Sequence, residues 1–250
     1  MNIQELSQSF LRELDQLEKG AGVTVESVDR LQVPGCLEHS LLAHDLTREK
    51  LRQECRVARE CCVAAVCVAP YYVADAVEEL SGGIVRVCAA VGFPNALMSS
   101  EALVAEVRSC INKGAVELDI PFNIAAVKSG DWDNVERDIL SAFEVARGRA
   151  CVKAVFEHGV YTDEEKNKLL LIAKRCGADY IKVQNLVSGF GARVEEISFV
   201  RHLLGRNVKI KIDGGVRTLE KALELLGAGA DRIGLSATKA IVDEVRLSRE

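Results

Sequence analysis

The sequence has 250 residues, 48% of them hydrophobic, and a formal net charge of -5 at pH 7. Charges of both signs are interspersed, which excludes the basic stripe of a nucleic-acid-binding surface, and no uncharged apolar stretch is long enough to span a membrane. We therefore expect neither a nucleic-acid nor a membrane partner. The N-terminus is amphipathic and acidic, unlike a signal or transit peptide, so we expect a cytoplasmic protein.

Hydrophobic periodicity alternates between strand-like and helix-like segments. In chain order, the first four strand and helix pairs are 34–40 with 47–62, 63–70 with 71–83, 84–94 with 99–115, and 116–120 with 132–148. The next four pairs are 151–157 with 162–178, 179–183 with 193–205, 208–215 with 218–230, and 231–236 with 237–247.

Eight strand and helix units in a chain of this length predict a closed (β/α)8 TIM barrel of the α/β class. An open doubly wound sheet is the alternative, but the G-x-G-x-x-G stretch that usually follows its first strand is missing. We expect a single domain over residues 1–250, with the barrel over 35–250. Residues 1–34 are predicted to form a helical extension packed over the N-terminal end of the barrel.

The nine cysteines indicate neither a disulfide framework nor a metal site. Their number is odd, no C-x-x-C spacing occurs, and most lie among apolar residues, as small buried side chains do in a reducing compartment. The four histidines are scattered rather than placed at a metal-ligand spacing. We therefore expect no metal ion.

Charged residues stand near the C-terminal ends of several predicted strands, where a TIM barrel carries its site. They are Asp119, Glu157, His158, Lys182, Lys211 and Asp213. Side chains alternate along a strand, so Lys209, Lys211 and Asp213 share one face, which should point into the barrel because the opposite face is apolar.

These inward charges have two interpretations. Glu117, Lys153 and Lys209 lie lower on their strands, and we predict that they form a stabilising ion-pair ladder. Asp119 and the two lysines Lys182 and Lys211 should lie at the open end, where pairing for stability is less needed, and we predict that they are functional.

Two lysines close together have a specific chemical use. Unit charges about 4 Å apart repel by about 4 kcal/mol at an effective dielectric near 20, which corresponds to about three pKa units. One lysine would then lower the pKa of the other until it is partly neutral near pH 7. A neutral amine attacks an aldehyde to form a Schiff base, and Asp119 could shuttle the protons.

The loops after the last two predicted strands have the composition of a phosphate site. Gly214 and Gly215 follow the seventh strand, and Gly234 and Ser236 belong to the end of the eighth, just before a helix N-terminus. Exposed backbone N–H groups and helix N-termini bind anions, and these two loops commonly form a phosphate site in TIM barrels. A simple tight turn at 214–215 is the alternative, and the IGLS stretch favours phosphate.

Segments from about Leu37 to Thr238 resemble, in order, the deoxyribose-phosphate aldolase family of class I aldolases. They include LEHSLLAHDLT, AAVCVAP, VCAAVGFP, VKAVFE, GADYIKV, KIDGGVRTLEKALELLGAGADRIGLSAT and, quite specific to that family, AVKSGDWDNVERDI. The resemblance implies reversible cleavage of 2-deoxy-D-ribose 5-phosphate to D-glyceraldehyde 3-phosphate and acetaldehyde, a lyase reaction in deoxyribonucleotide catabolism that uses no metal or organic cofactor. We also expect a homo-oligomer, either a dimer or a tetramer.

The same resemblance implies roles for individual residues. Lys182 matches the lysine that forms the Schiff base, Lys211 matches the second lysine, and Asp119 matches the proton-relay aspartate. Four positions match phosphate-binding residues, namely Gly214, Gly215, Gly234 and Ser236.

The chain departs from the family pattern around both lysines. The family usually reads K-T-S-T-G-F at the reactive lysine, whereas here Lys182 is followed by VQNLV, with a glycine-rich SGFGA a few residues later. The family's K-A-S-G-G is here KIDGG, which adds Asp213 beside Lys211. Two alternatives therefore stay open: a related Schiff-base aldolase or lyase with a different phosphorylated substrate, and a non-catalytic barrel that binds a phosphorylated ligand.

Overall fold

The structure is a computed structural model that describes residues 25–185, 189 and 191–247. Eight parallel strands close into a barrel in which neighbours in the chain are neighbours in the sheet, and β8 pairs with β1. The strands are β1 Leu37–Leu41, β2 Ala65–Val68, β3 Arg86–Ala90, β4 Glu117–Pro121, β5 Cys151–Glu157, β6 Tyr180–Gln184, β7 Lys209–Asp213 and β8 Arg232–Leu235. The predicted TIM barrel is thereby confirmed.

A helix follows each strand and packs on the outside of the barrel. Over the described residues the α-helices are α1 Arg48–Glu60, α2 Val73–Leu80, α3 Ser100–Asn112, α4 Ile124–Lys128, α5 Trp132–Ala146, α6 Asp163–Cys176, α7 Val194–Leu204, α8 Leu219–Gly227 and α9 Thr238–Leu247. The short α4 was not predicted. It exists because the Asn123 side chain accepts hydrogen bonds from the N–H groups of Ala125 and Ala126, which starts one helical turn before α5.

Polar caps determine where the longer helices begin. The Thr47 hydroxyl accepts a hydrogen bond from the Lys50 N–H at 3.2 Å and starts α1. Thr162 and Glu165 form a reciprocal capping box at the start of α6, and Gly177 ends that helix with a φ of 86°. These local signals fix where each helix begins and ends, and the helices then pack on the outside of the strands in the order predicted from the sequence.

The two faces of the strands are chemically different. The outward faces carry Ile, Val, Leu and Ala side chains that are buried against the helices and form the main hydrophobic core. The inward faces hold a small apolar cluster of Cys67, Cys88 and Ala90, with Phe93 packed against it, on the β2 and β3 side. The rest of the interior is lined largely by charged side chains, and this charged interior holds the candidate site.

The N-terminal segment differs from the expected helix where it is described. Residues 1–24 lie outside the described part of the chain. Residues 25–29 have no regular secondary structure, and Arg30–Gln32 and Pro34–Cys36 are single 3-10 turns. The first strand therefore begins at Leu37 and not at Pro34, since proline lacks the N–H that a barrel strand would use. Among the described residues, no helix has the length and apolar character needed to cross a membrane.

Candidate active site

Four carboxylates and four cations meet inside the barrel. They come from β1 and β4 to β8 and are Glu38, Glu117, Asp119, Asp213, Lys153, Lys182, Lys211 and Arg232. Strand alternation brings them together, because each occupies an inward position of its strand. Burying so many charges is tolerable only when each is paired, and the contacts meet that condition.

The lower layer of this group is a buried ladder of ion pairs. Lys153 Nζ lies 2.9 Å from Glu38, 2.7 Å from Glu117 and 3.0 Å from Asp119. Arg232 continues the ladder, with its guanidinium 2.6 Å from Glu117. Glu117 and Lys153 therefore lie in the ladder in which the sequence analysis placed them.

Lys209 is the exception, and the prediction for this residue was wrong. Its side chain is exposed at the N-terminal end of β7, where its ammonium lies 5.5 Å from the ring centre of Tyr180. Strand alternation puts Lys209 on the inward face, but β7 starts at this residue, so its long side chain reaches solvent below the barrel.

The upper layer contains the two lysines singled out from the sequence. Lys182 Nζ lies 2.8 Å from Asp119 Oδ2 and 2.8 Å from Asp213 Oδ2. Lys211 Nζ lies 2.8 Å from the same Asp119 oxygen and also contacts Glu38. The two lysines are paired across β6 and β7, so their ammonium groups are adjacent and share one carboxylate oxygen.

This upper layer is enclosed and does not lie at an open end as expected. The side chains of Lys182, Lys211 and Asp119 are at most 1% exposed, whereas the Asp213 side chain is 15% exposed. A substrate would therefore approach Lys182 from the Asp213 side.

The pKa of Lys182 differs from the expectation drawn from two adjacent lysines. Burial and Lys211 both lower the pKa of Lys182, but Asp119 and Asp213 raise it by more, so the pKa lies above its ordinary value. For the Asp119 carboxyl, burial raises the pKa because it disfavours the charged form. Lys153, Lys182 and Lys211 outweigh this effect and hold the pKa of Asp119 well below its usual range. A raised pKa favours the ammonium form of Lys182, which must give up a proton before it can act as a nucleophile.

The predicted phosphate residues lie on the loops after β7 and β8. Gly214 and Gly215 have φ values of 135° and 62°, which favour glycine, and the Gly214 carbonyl accepts a hydrogen bond from the Ala192 N–H at 2.9 Å. That contact brings the end of the SGFGA stretch beside the β7 loop. Ser236 is exposed just before α9.

Gly234 has a different neighbour from the one expected. A Cβ built at Gly234 would overlap the Asp213 carboxylate, since the two residues are paired across β7 and β8. The absence of a side chain at Gly234 therefore makes room for Asp213, which the sequence analysis had placed only near Lys211.

Two cysteines were also missed as site residues. Cys88 Sγ lies 3.1 Å from Asp119 Oδ1, and Cys67 Sγ lies 3.7 Å from Asp119 Oδ2. Together with Asp119 and Glu38, the two cysteines offer four potential metal-ligand atoms within 4.8 Å of one another. The ammonium groups of Lys153 and Lys211 already contact these carboxylates, so the positive charge there comes from lysine.

A large cavity of about 910 Å³ opens at the other end of the barrel. Arg86, Glu117, Arg149 and Lys209 are among its lining residues, and all belong to the N-terminal ends of strands or the turns before them. Active sites of TIM barrels lie at the opposite end. The charged interior around Lys182 is therefore the better candidate, although it is the more enclosed of the two.

Comparison with known proteins gives consistent matches. Residues 35–243 match the model of a family described as DeoC/LacD family aldolase. The chain is 42% identical over 218 residues to deoxyribose-phosphate aldolase 1 of Cutibacterium acnes, covering 87% of this chain and all of that protein. It is 37% identical over 214 residues to the deoxyribose-phosphate aldolase of Clostridium tetani, covering 86% and 99% of the two chains.

A solved structure extends the comparison to the fold. The tetrameric deoxyribose phosphate aldolase from Aeropyrum pernix superposes with a TM-score of 0.77, covering 98% of this chain and 97% of that one. The sequence identity is 23%, so this likeness concerns the barrel alone.

Proposed function

The chain belongs to the DeoC/LacD aldolase family, and we propose that it cleaves and forms 2-deoxy-D-ribose 5-phosphate through a Schiff base on Lys182. The products of cleavage are D-glyceraldehyde 3-phosphate and acetaldehyde. Membership makes the protein an aldolase, a carbon–carbon lyase, as the resemblance predicted; the substrate and the covalent mechanism are the proposal.

One observation carries the proposal: a buried lysine in contact with two carboxylates. Lys182 Nζ lies 2.8 Å from both Asp119 and Asp213, beside Lys211 on the neighbouring strand. A barrel that only bound a phosphorylated ligand would have no use for an amine held between two proton acceptors, which argues against the non-catalytic alternative.

The proposed reaction begins with transfer of a proton from Lys182 to a neighbouring carboxylate. The free amine attacks the aldehyde carbon of the open-chain sugar, and loss of water from the carbinolamine gives an iminium ion. The iminium draws electrons from the carbon–carbon bond next to its α-carbon. As that bond breaks, the hydroxyl on the departing carbon loses its proton to a carboxylate of the site and D-glyceraldehyde 3-phosphate leaves. The remaining enamine is protonated and hydrolysed to acetaldehyde, and no metal or organic cofactor is needed.

Lys211 and Asp119 have supporting roles in this proposal. Asp119 holds both ammonium groups through one oxygen and so fixes Lys182 beside Lys211. Lys211 opposes the two carboxylates by lowering the pKa of Lys182. Without Lys211 the amine would be still harder to deprotonate.

The phosphate is proposed to bind at the loops after β7 and β8. Backbone N–H groups of Gly214, Gly215 and Gly234 and the Ser236 hydroxyl would donate to it, together with the N-terminus of α9. Support comes from the left-handed glycine conformations and from the position of these loops at the C-terminal end of the barrel.

Assembly and location belong to the same proposal. We propose a homo-oligomer, a dimer or a tetramer; the aldolase from Aeropyrum pernix, which has a similar barrel, is described as tetrameric. A cytoplasmic location is supported by the nine cysteines, all of which are free thiols.

A second candidate is a Schiff-base aldolase of the same family with a different phosphorylated substrate. The observation that favours it is Asp213, which contacts Lys182 and stands where the family usually has serine. The lysine chemistry is the same, so only a comparison of substrates separates the two candidates.

The test is reductive trapping followed by peptide mapping. Acetaldehyde with borohydride should add an ethyl group to Lys182 of the wild type, and Lys182→Leu should remove both the label and the activity. Lys209→Leu is the matched control, because Lys209 is an exposed lysine on the adjacent strand. A label on Lys211 or Lys153 with Lys182 unmodified would refute the assignment. Turnover of a panel of phosphorylated aldoses then identifies the substrate.

A further inference from the structure

Two carboxylates contact the amine of Lys182, and they differ in how many of their oxygens already have a hydrogen-bond partner. Both Asp119 Oδ2 and Asp213 Oδ2 lie 2.8 Å from Lys182 Nζ. Either could take the proton of the ammonium. Only a carboxylate with a free oxygen facing the substrate can also exchange protons with the substrate itself.

Asp119 has no such oxygen. Its Oδ1 is contacted by Lys153 at 3.0 Å and by the Cys88 thiol at 3.1 Å. Its Oδ2 is contacted by Lys182 and Lys211, each at 2.8 Å. Three ammonium groups around a fully buried carboxylate make it a weak base, because protonation would leave those charges uncompensated.

Asp213 contacts the reactive amine through Oδ2 only, and its other oxygen remains without a hydrogen-bond partner in the described part of the chain. Its Oδ1 is buried and has no hydrogen-bond partner among the described residues, and Lys211 Nζ lies 4.0 Å from it. The side chain is the most exposed of the carboxylates in contact with the two lysines. The glycine at position 234 leaves the carboxylate the space it occupies.

A second buried acceptor lies on the same inward face as Lys182. Gln184 is two residues further along β6, and its Oε1 also has no hydrogen-bond partner among the described residues. A buried acceptor without a donor costs free energy, so one acceptor on a carboxylate that contacts Lys182 and a second on the strand of Lys182 indicate that a donor binds there. A hydroxylated substrate supplies such donors, whereas a phosphate dianion supplies none.

We propose that Asp213 is a catalytic acid and base of this aldolase, which exchanges protons directly with the substrate bound to Lys182. The inference rests on the proposed function, because it needs the iminium ion on Lys182. It transfers to Asp213 the proton relay that the family resemblance assigns to Asp119, and it leaves Asp119 to hold the lysines in place.

The proton follows a closed path in the cleavage direction. Asp213 Oδ1 takes the proton of the hydroxyl on the carbon that becomes the departing aldehyde, and the O–H electron pair forms its C=O bond. The carbon–carbon bond breaks, and its electron pair forms the C=C bond of the enamine while the iminium nitrogen becomes neutral. Asp213 then gives the same proton to the enamine carbon, which restores the iminium ion for hydrolysis.

The experiment separates imine formation from proton transfer in the Asp213→Asn variant. Borohydride trapping of acetaldehyde on Lys182 reports the imine, and deuterium exchange of the acetaldehyde methyl protons in D2O, followed by NMR, reports proton transfer at the enamine carbon. The neutral amide removes one of the charges that hold Lys182 protonated, so trapping should proceed at the wild-type rate or faster. Exchange and sugar cleavage should fall by about 100-fold or more, the usual contribution of a general acid or base.

A second variant tests whether a carboxylate is what is missing. Asp213→Ala leaves room for a small anion, and added formate should restore part of the exchange in this variant while having no such effect on the wild type. Rescue of this kind is expected of a lost proton carrier and not of a lost structural contact.

The outcomes distinguish the inference from the function on which it rests. If the wild type is not labelled at Lys182, the proposed function fails. If Lys182 is labelled but Asp213→Asn exchanges methyl protons as fast as the wild type, Asp213 only restrains the ammonium and the inference fails. A parallel loss of trapping and exchange would place the role of Asp213 at or before imine formation, which also overturns the inference.

Discussion

The Asp213 carboxylate on β7 fills the space that a side chain on Gly234 of β8 would need. The two residues are paired across the sheet, and a Cβ built on Gly234 would overlap both carboxylate oxygens. Gly234 was predicted to bind phosphate through its backbone, and this contact gives it a second, steric task. Asp213 and Gly234 therefore form one structural unit, in which the carboxylate fits only because position 234 has no side chain.

The first prediction tests this unit with a double-mutant cycle. Gly234→Ala should displace Asp213 from Lys182 and reduce kcat/KM. In an Asp213→Ser background the same substitution should cost less, because the carboxylate it displaces is gone. We expect a coupling of about 1–3 kcal/mol between the two positions. Equal effects of Gly234→Ala in both backgrounds would show that the clash does not govern activity.

The second prediction concerns the pH profile of Lys211→Leu. Lys211 lowers the pKa of Lys182, so its removal should raise that pKa further and move the rising limb of kcat/KM and of acetaldehyde trapping to higher pH. The matched control, Lys209→Leu, should leave both profiles unchanged because Lys209 is exposed at the other end of β7. An unshifted profile for Lys211→Leu would mean that the carboxylates alone set the pKa of Lys182.

The third prediction concerns the phosphate loops. Ser236→Ala should raise KM for deoxyribose 5-phosphate by about 10-fold or more, since a hydrogen bond to a charged group contributes roughly 1.5–3 kcal/mol. Turnover of unphosphorylated deoxyribose should stay as in the wild type. Gly214→Val should have a larger effect in the same direction, because a side chain there would keep the phosphate from the backbone. A wild type that does not prefer the phosphate ester would exclude the site.

The fourth prediction concerns the lower ladder. Lys153→Met should leave the carboxylates of Glu38, Glu117 and Asp119 short of a buried partner and lower the free energy of unfolding by about 3–5 kcal/mol. Lys128→Met breaks a part-exposed pair with Glu165 and should cost less than about 1 kcal/mol. Urea unfolding followed by circular dichroism measures both. Equal stabilities for the two variants would contradict the role of the ladder.

The fifth prediction follows from the carboxyl group of Glu38. Burial raises its pKa, but Lys153 and Lys211 outweigh burial and lower it from 4.5 to about 2. A depressed folded-state pKa stabilises the protein above the unfolded-state pKa, and this stabilisation is lost as the pH falls from about 4.5 toward 2. Wild type should therefore lose about 3 kcal/mol more than Glu38→Gln across this window. Parallel curves of unfolding free energy against pH would rule out this contribution.

The sequence by itself determined the barrel and the residue types inside it. Eight alternating segments with helix caps such as Thr47 and Thr162 specify strand and helix locally, and local signals of this kind need no knowledge of distant residues. Period-two alternation also placed Lys211 and Asp213 on the inward face. Lys182 and Lys211 were therefore found as a pair before their contact was known.

Only the tertiary structure decided which charge each lysine meets. Closure of the barrel brings Glu38 from β1 against Lys153 and Lys211 from β5 and β7, a contact across 173 residues in the case of Lys211. Repulsion between two lysines could be foreseen from their spacing, but the stronger attraction of Asp119 and Asp213 could not. The pKa of Lys182 is consequently raised where the sequence alone predicted a lower value.

The same reason explains the role of Asp213 and the exposure of Lys209. Both positions lie on the inward face of β7 by the alternation rule, yet one side chain contacts the reactive amine and the other reaches solvent. Alternation determines the direction of a side chain but not its depth or its partner. The depth and the partner of a side chain depend on the strand register and on the space that neighbouring residues, such as Gly234, leave. They decide the chemistry because electrostatic energies change steeply over a few ångströms in a buried site.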